Sequence, residues 1–419
     1  MVRIHSFSAL RPREDEAALI ASVPYDVVTT GEAQELIEQN PRSFLRVIRS
    51  DAELTGTAPD DDLIYARAKE NLDAMIKSGQ FLRDNAPSLY VYRVKEGGNI
   101  YTGLVACLET EDYAENRIKR HEHTRYDKEE DRTRHIDTTN ANTGLVVLLY
   151  RDTGAIFAAT AVLIQHREPD TTVKTAKGEV HEIFRIVDPD ALAALEGMFS
   201  GVDSLYIADG HHRAKSAVNV AERRREAGTL TPEAERFIGV LFAEKRVKIH
   251  GYSRLVRDIG SYTPEAFLEG LSSTFTVTPY GEIDDTVFCI PPLQEFDAPA
   301  HVIHMYLQGR WYELSCPVRN AEDPIGSLGV SILQREVLEG MLGIKDPRSD
   351  PRLQYLGGNR PLADLEERVD AGEYILAFSI QPVHIETVLA IADEGGVMPP
   401  KSTWFEPKLL SGLVLHTLD

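Results

Sequence analysis

The stretch Ser204-Leu205-Tyr206-Ile207-Ala208-Asp209-Gly210-His211-His212-Arg213, running on into Ala214–Ala227, decides how this chain is read. Ser204–Ala208 is apolar and β-forming, Asp209–Arg213 reads as a turn, and Ala214–Ala227 carries a helical pattern. A strand that turns directly into a helix points free backbone N–H groups and the positive helix end at one place. That is a ready seat for an anion. Gly210 permits the tight turn and close approach of a ligand. Arg213 adds a forked donor that suits phosphate. His211 and His212 can donate to phosphate oxygens or take a proton near neutral pH. Asp209, at the strand end, is placed to hold a metal ion or orient a histidine. An ordinary helix cap with satisfied histidines is the plain alternative.

Working outward, His181–Val187 reads as a strand, and Asp188-Pro189-Asp190 opens a helix over Ala191–Phe199 with an acidic cap and an early proline. The order there is strand, helix, strand, helix. Upstream, the pattern predicts helices over Thr30–Gln39, Asp60–Ser78 and Arg125–Thr139. It predicts strands over Phe44–Arg49 and Leu145–Tyr150, and a hairpin of Ser88–Val94 with Ile100–Glu109. Downstream come strands Phe237–Phe242 and Val247–Ile249 and a hairpin of His301–Leu307 with Trp311–Leu314. A helix over Gly329–Met341, a strand Tyr374–Ser379 and a helix Ile385–Asp393 follow. The polar stretch Arg167–Glu179 reads as a loop and as the best boundary. The class is α+β, mixed β-sheets with peripheral helices. Three regions are expected: 1–166, 167–295 with the strand–helix–strand–helix core, and 296–419.

The chain has 419 residues, 45 basic and 66 acidic, for a net charge of −21. At roughly 150 residues per domain this allows two or three units. Apolar residues at 42% exclude disordered and fibrous classes. The negative balance works against nucleic-acid partners, since phosphate-backbone binding needs Lys and Arg to release counterions. A nucleotide needs only one positive pocket. Three cysteines, Cys107, Cys289 and Cys316, lie far apart and form no C-x-x-C, which fits a reducing cytoplasm. The first residues, MVRIHSFSALRPREDEAALIASV, put acids where a signal peptide has its apolar stretch, and no run is long enough to span a membrane. A soluble cytoplasmic protein is expected. The P-loop, G-x-G-x-x-G, H-E-x-x-H and G-x-S-x-G signatures are all absent.

Two further segments carry candidate chemistry. His121-Glu122-His123-Thr124 precedes the charged helix, on which Lys128, Arg132 and His135 share one face beside Asp131. Lys128 and Arg132 are candidates to bind a transferring phosphoryl, and Glu122, with His123 next to it, to act as base. A solvated helix with ion pairs is the alternative. His121, Glu122, His123 and Asp209 are all competent metal ligands; magnesium arriving with a nucleotide, held by Asp209 and Glu122, is the expected case. Near the other end, Pro399-Pro400 forces an extended chain before Lys401, Ser402 and Thr403. Lys401 and Ser402 are candidates to reach a phosphate pocket, and Lys408 follows Pro407. A tail pinned by Trp404 and Phe405 is the alternative. Pro24-Tyr25-Asp26 is a turn or a contributor to the pocket.

The turn resembles the nucleotide-binding signature of the ParB/sulfiredoxin superfamily, in which a G-x-x-R turn cradles phosphates; Gly210, His211, His212 and Arg213 match it. A broader likeness runs through Ser22–Asp26, His121–Thr124, Lys128–Asn142, IADGHHRAKSA and MPPKSTWFEPKLLSGLVL. These resemble a large bacterial family known only as domain of unknown function 1015. Its members resemble free serine kinases of the ParB-like type. The resemblance implies a phosphotransferase that uses ATP or ADP with Mg2+ on serine or phosphoserine, and leaves a homodimer open. A nucleotide-binding switch without turnover and a metal-dependent phosphatase are the other readings. The chain departs from the family's pattern at Ala214, where an aromatic residue is usual, and at Tyr252-Ser253-Arg254, where His-Arg is usual. Adenine or substrate contacts could differ there.

Overall fold

The computed structural model describes residues 1–284, 286–296, 298–318 and 322–419. Contacts group them into two compact units, Met1–Val247 with Pro407–Asp419, and Lys248–Glu406.

The first unit is built on a nine-stranded sheet. Its strands are β1 (Ile4–His5), β2 (Leu89–Glu96), β3 (Asn99–Glu109), β4 (Ile118–Lys119), β5 (Val146–Tyr150), β6 (Thr171–Lys174), β7 (Val180–Ile186), β8 (Leu205–Asp209) and β9 (Arg236–Ala243). They lie in the order β4-β8-β5-β9-β3-β2-β7-β6, with β1 added against β3. Only β8 with β4 and β9 with β5 run parallel; the remaining pairs are antiparallel, so the sheet is mixed. Central strands buried on both faces read as continuous apolar runs, and β5 and β9 do so in Val146–Tyr150 and Phe237–Ala243. Leu148, Ile207 and Leu241 meet Phe184 and Phe199 in the core of this unit, all buried. Each such side chain contributes roughly 1.5–3 kcal/mol of burial.

Among the first unit's helices are α1 (Asp62–Lys77), α2 (Tyr126–Thr139), α3 (Pro189–Phe199) and α4 (His211–Glu226). As expected, Asp188 caps α3, accepting from Ala191 N–H at 2.9 Å with Pro189 in the first turn. The strand–helix–strand–helix order of β7, α3, β8 and α4 is present. However, β7 and β8 are separated in the sheet by β5, β9, β3 and β2. They are not a paired core.

Two expectations fail locally. Phe44–Arg49 is not a strand: Leu45–Ile48 is a short helix. Arg46 and Arg49, three apart, turn to Glu53 and Asp51, while Phe44, Leu45, Val47 and Ile48 are buried. A three-residue spacing imitates alternation over so short a run. Arg167–Glu179 is not all loop, because β6 forms within it and pairs with β7; the β-branched Thr171 and Val173 are its buried face. The boundary expected at 166/167 therefore falls inside the first unit, and the one at 295/296 inside the second.

The second unit has β10 (Lys248–His250), β11 (Ser253–Val256), β12 (Thr276–Pro279), β13 (Ala300–Leu307), β14 (Arg310–Pro317), β15 (Leu353–Leu356), β16 (Leu376–Ile380) and β17 (Trp404–Glu406). Six of these form an antiparallel sheet, β12-β14-β13-β16-β11-β15, and β10 pairs with β17. Cys107, Cys289 and Cys316 are free thiols. Among the described residues no helix is long and apolar enough to cross a membrane.

Residues Pro407–Asp419 strap the first unit. Ser411 exchanges backbone hydrogen bonds with Ser22, Leu415 does so with Leu10, and Leu418 N–H donates to Asn140 at 2.9 Å. The strap turns at Gly412, whose φ is +87° and whose missing Cβ would stand 2.8 Å from the Phe44 side chain. Phe44 is fully buried and has no room to yield. Gly412→Ala is therefore expected to cost at least about 2 kcal/mol, the sum of left-handed strain and overpacking. Chemical denaturation of the variant checks this, and an unchanged midpoint would contradict it.

Candidate active site

The turn after β8 builds the site. Gly210 is the residue before α4, with φ +94°, and the helix begins at His211 rather than Ala214. His211, His212 and Arg213 thus occupy its first turn, where no side chain caps the free N–H groups. The structure thus has the strand-to-helix turn with an uncapped helix start that the sequence pattern suggested.

Asp209 sits between two cations. Lys408 Nζ donates to Oδ2 at 2.7 Å and Arg213 Nη2 to Oδ1 at 3.2 Å. Burial alone would raise the Asp209 pKa; the two cations outweigh it and hold the carboxyl well below the usual carboxylate range. Arg213 also donates to the Leu145 carbonyl. Its side chain lies over Gly210, where a Cβ would stand 2.9 Å from Nε. Much of the Arg213 fork is thus committed to the protein.

The histidines are held neutral. His121 is 3% exposed, and its pKa is pushed down to about 4 by burial. Its ring meets that of His211 edge to face at 4.7 Å. Burial, then the neighbouring His121, pushes His211 well below its ordinary range. His211 Nε2 is buried and has no hydrogen-bond partner among the described residues, while Nδ1 lies 4.0 Å from Glu122. His212 Nε2 accepts from the Arg125 backbone N–H at 3.1 Å, so that nitrogen is not a donor to phosphate.

The other expected residues divide. Glu122 reaches the His211 side of the cluster. His123 and Lys128 are exposed. Arg132 is buried and engaged: it pairs with Asp131 at 2.8 Å and lies 4.5 Å over the Tyr25 ring. His135, expected on the same open face as Lys128, is buried against the Val47 carbonyl at 2.9 Å. Tyr25, Arg132, His135, Gly144, Arg213 and Ser411 enclose a cavity of about 20 Å³. It has room for one water, far below the roughly 300–1,000 Å³ of a ligand cleft. Lys401 and Ser402 belong to the second unit, where the Lys401 carbonyl accepts from Arg254 and Ser402 Oγ donates to Pro399 at 2.6 Å. Lys408 is the residue to which the sequence assigned no role. A lysine just after Pro407 in an otherwise apolar closing stretch was its only signal.

Magnesium does not fit the expected ligand pair. Both Asp209 oxygens already accept from cations, and a metal ion there would face Lys408 and Arg213 at contact range. Among the described residues, the group of close metal-competent side chains is instead Cys107, Glu233 and His416. There His416 Nε2 is already bonded to Glu233 at 2.7 Å.

The chain belongs to the family described as protein of unknown function DUF1015, whose model matches residues 4–331. No curated protein matches it. Among solved structures it is similar to a free serine kinase variant in complex with AMP, at 13% identity, covering 75% of this chain and 92% of that one with a TM-score of 0.37. A conserved hypothetical protein from Pyrococcus furiosus matches at 13% identity over 75% and 95% of the two chains, TM-score 0.33. SbnI from Staphylococcus aureus matches at 11% identity over 72% and 82%, TM-score 0.35.

The depressed His121 pKa makes stability depend on pH. The unfolded chain takes up this proton near the ordinary value of 6.5, the folded one only near 4. The stability is therefore complete above about 6.5 and lost as pH falls toward 4, by on the order of 3 kcal/mol. Urea unfolding at pH 7 and pH 5 should show a smaller loss in His121→Gln than in the wild type. Equal losses would mean that His121 titrates normally.

Proposed function

We propose that this protein is a nucleotide-dependent small-molecule phosphotransferase, moving a phosphoryl group between ATP or ADP and the hydroxyl of free L-serine, or in reverse from phosphoserine. The observation that carries the reading is the uncapped first turn of α4 beside an Asp209 carboxylate held by Lys408 and Arg213. Free N–H groups, a lysine and an arginine at one strand end are what a transferring phosphoryl needs, since its charge must be met by fixed donors. The kinase branch, rather than a generic anion binder, follows the family resemblance read in the sequence.

In this reading the α4 N–H groups and buried His211 Nε2 face the nucleotide phosphates. Lys408, a long flexible cation, turns from Asp209 to the phosphoryl in transit, and Asp209 positions it. Glu122 takes the proton of the attacking hydroxyl as its oxygen bonds to phosphorus and the bond to the departing phosphate oxygen breaks. A histidine base is disfavoured for His121 and His211, whose basicity is lowered by burial and, for His211, by the neighbouring His121. Asp209, engaged by Lys408 and Arg213, would not hold a magnesium ion. A metal-dependent phosphatase built on Asp209 is disfavoured for the same reason.

Incubation with L-serine and ATP or ADP, or with phosphoserine and the corresponding nucleotide product, tests the reading by 31P NMR. Absence of transfer in both directions would refute it. Glu122→Gln is expected to keep nucleotide affinity within a few-fold and cut turnover by roughly 10²–10⁴. Near-normal turnover would move the base to His123, Asp26 or Asp209. Lys408→Ala should lower kcat by about 10²-fold or more, as removal of a charge-stabilising donor does, with little change in nucleotide affinity. A loss confined to affinity would make Lys408 a binding group only.

A further inference from the structure

Arg254, on β11 of the second unit, is 3% exposed. Two of its five N–H groups are used on backbone: Nη1 donates to the Tyr252 carbonyl at 2.6 Å and Nη2 to the Lys401 carbonyl at 3.1 Å. Its guanidinium lies 5.2 Å from the Tyr355 ring centre. Lys401 then returns to the same place, its Nζ 5.1 Å from the centre of the Tyr252 ring. The Lys401 backbone has φ +57°, a left-handed conformation that a β-carbon disfavours. Trp404 closes on the Tyr252 ring edge to face at 5.4 Å, and Tyr355 at 6.4 Å.

Both cations thus touch Tyr252, Arg254 at its carbonyl and Lys401 at its ring, and among the described residues neither has a carboxylate partner. Glu406, on β17 near Trp404, is taken by His250 at 2.9 Å. Burial pushes the Arg254 pKa down to about 10, and the groups opposing this are the Tyr355 and Tyr252 phenols. Carbonyl dipoles and ring faces offset part of the cost of burying a cation, but supply no opposite charge. Buried charges are otherwise paired, and a left-handed lysine beside an unpaired arginine is strain of the kind held at ligand sites.

We infer that Arg254 and Lys401 form an oxyanion seat in the second unit, which takes the phosphate or carboxylate group of a small molecule between the guanidinium and the ammonium. Arg254 presents its remaining N–H groups to the oxygens and Lys401 closes over them, with Tyr252 and Trp404 as an aromatic wall. This inference does not rest on the phosphotransferase reading, because it concerns other residues in the other unit.

The chain's two tryptophans make the test local, since both Trp311 and Trp404 lie in the second unit. The full-length protein is titrated with inorganic phosphate and, separately, with acetate, following tryptophan fluorescence at constant ionic strength. The expected result is a saturable change with one of the two anions, which also identifies the group recognised. Lys401→Ala and Arg254→Lys should raise its midpoint at least tenfold, whereas Arg213→Ala, in the first unit, should leave it unchanged. Lys401 is exposed, so its variant reports even where Arg254→Lys fails to fold. No saturable change with either anion, or a midpoint unaltered by Lys401→Ala, overturns the inference. Turnover with serine is a separate readout, so either reading can fail alone.

Discussion

The carboxylate of Asp209 is the constraint on which the candidate site depends. Partial burial at the end of β8 makes its charge costly, and two cations brought from elsewhere offset that cost. One is Arg213, a turn along α4, which also grips the Leu145 carbonyl before β5. The other is Lys408, delivered by the closing strap. One side chain therefore ties the end of a strand, the start of a helix, the entry to a neighbouring strand and the strap. Removing either cation leaves a half-buried carboxylate short of a partner.

Burial, rather than that charge arrangement, explains the histidines. His121 and His211 meet edge to face, with both rings buried. A positive charge on either ring would be desolvated, and on His211 it would also be repelled by His121, so both rings stay neutral. Neutral imidazoles can orient, accept or donate, but they do not offer an acid near pH 7. Proton removal then falls to a carboxylate with some access to water, and Glu122, beside His211 and half-exposed, fits that need. The net charge of −21 does not conflict with a phosphate site, because what matters is the few cations within contact range.

How much of this could be read from residues alone depends on the range of the interaction concerned. The strand, turn and helix around Asp209–Arg213 were legible because β-forming apolar residues, a glycine and a helical period are neighbours in sequence. The start of the helix at His211 was not, since it depends on the φ that Gly210 adopts. Arg213 lies in the helix rather than in the turn where the sequence put it, and its commitment to Leu145 is a long-range fact that no spacing encodes. The helix at Leu45–Ile48 was misread because four residues cannot separate a period of two from one of three. Strand β6 was missed because its exposed threonine and lysine hid two buried β-branched positions. Lys401 and Lys408 show the limit most sharply. They are seven positions apart in one proline-containing stretch, yet they belong to different compact units.

That division has a simple topological cause. The second unit is an insertion in the chain of the first, entered after Val247 and left after Glu406. Its first strand, β10, and its last, β17, pair with each other, Lys248 against Glu406. The chain thus leaves and re-enters the first unit at adjacent points, the arrangement that lets a domain be inserted without disturbing its host. A consequence follows for the site. Pro407 and Lys408 are bound to the first unit by the pairing of the strap with Ser22, Leu10 and Asn140. The lysine that holds Asp209 is therefore positioned by the first unit's own backbone, even though 159 residues of the other unit precede it.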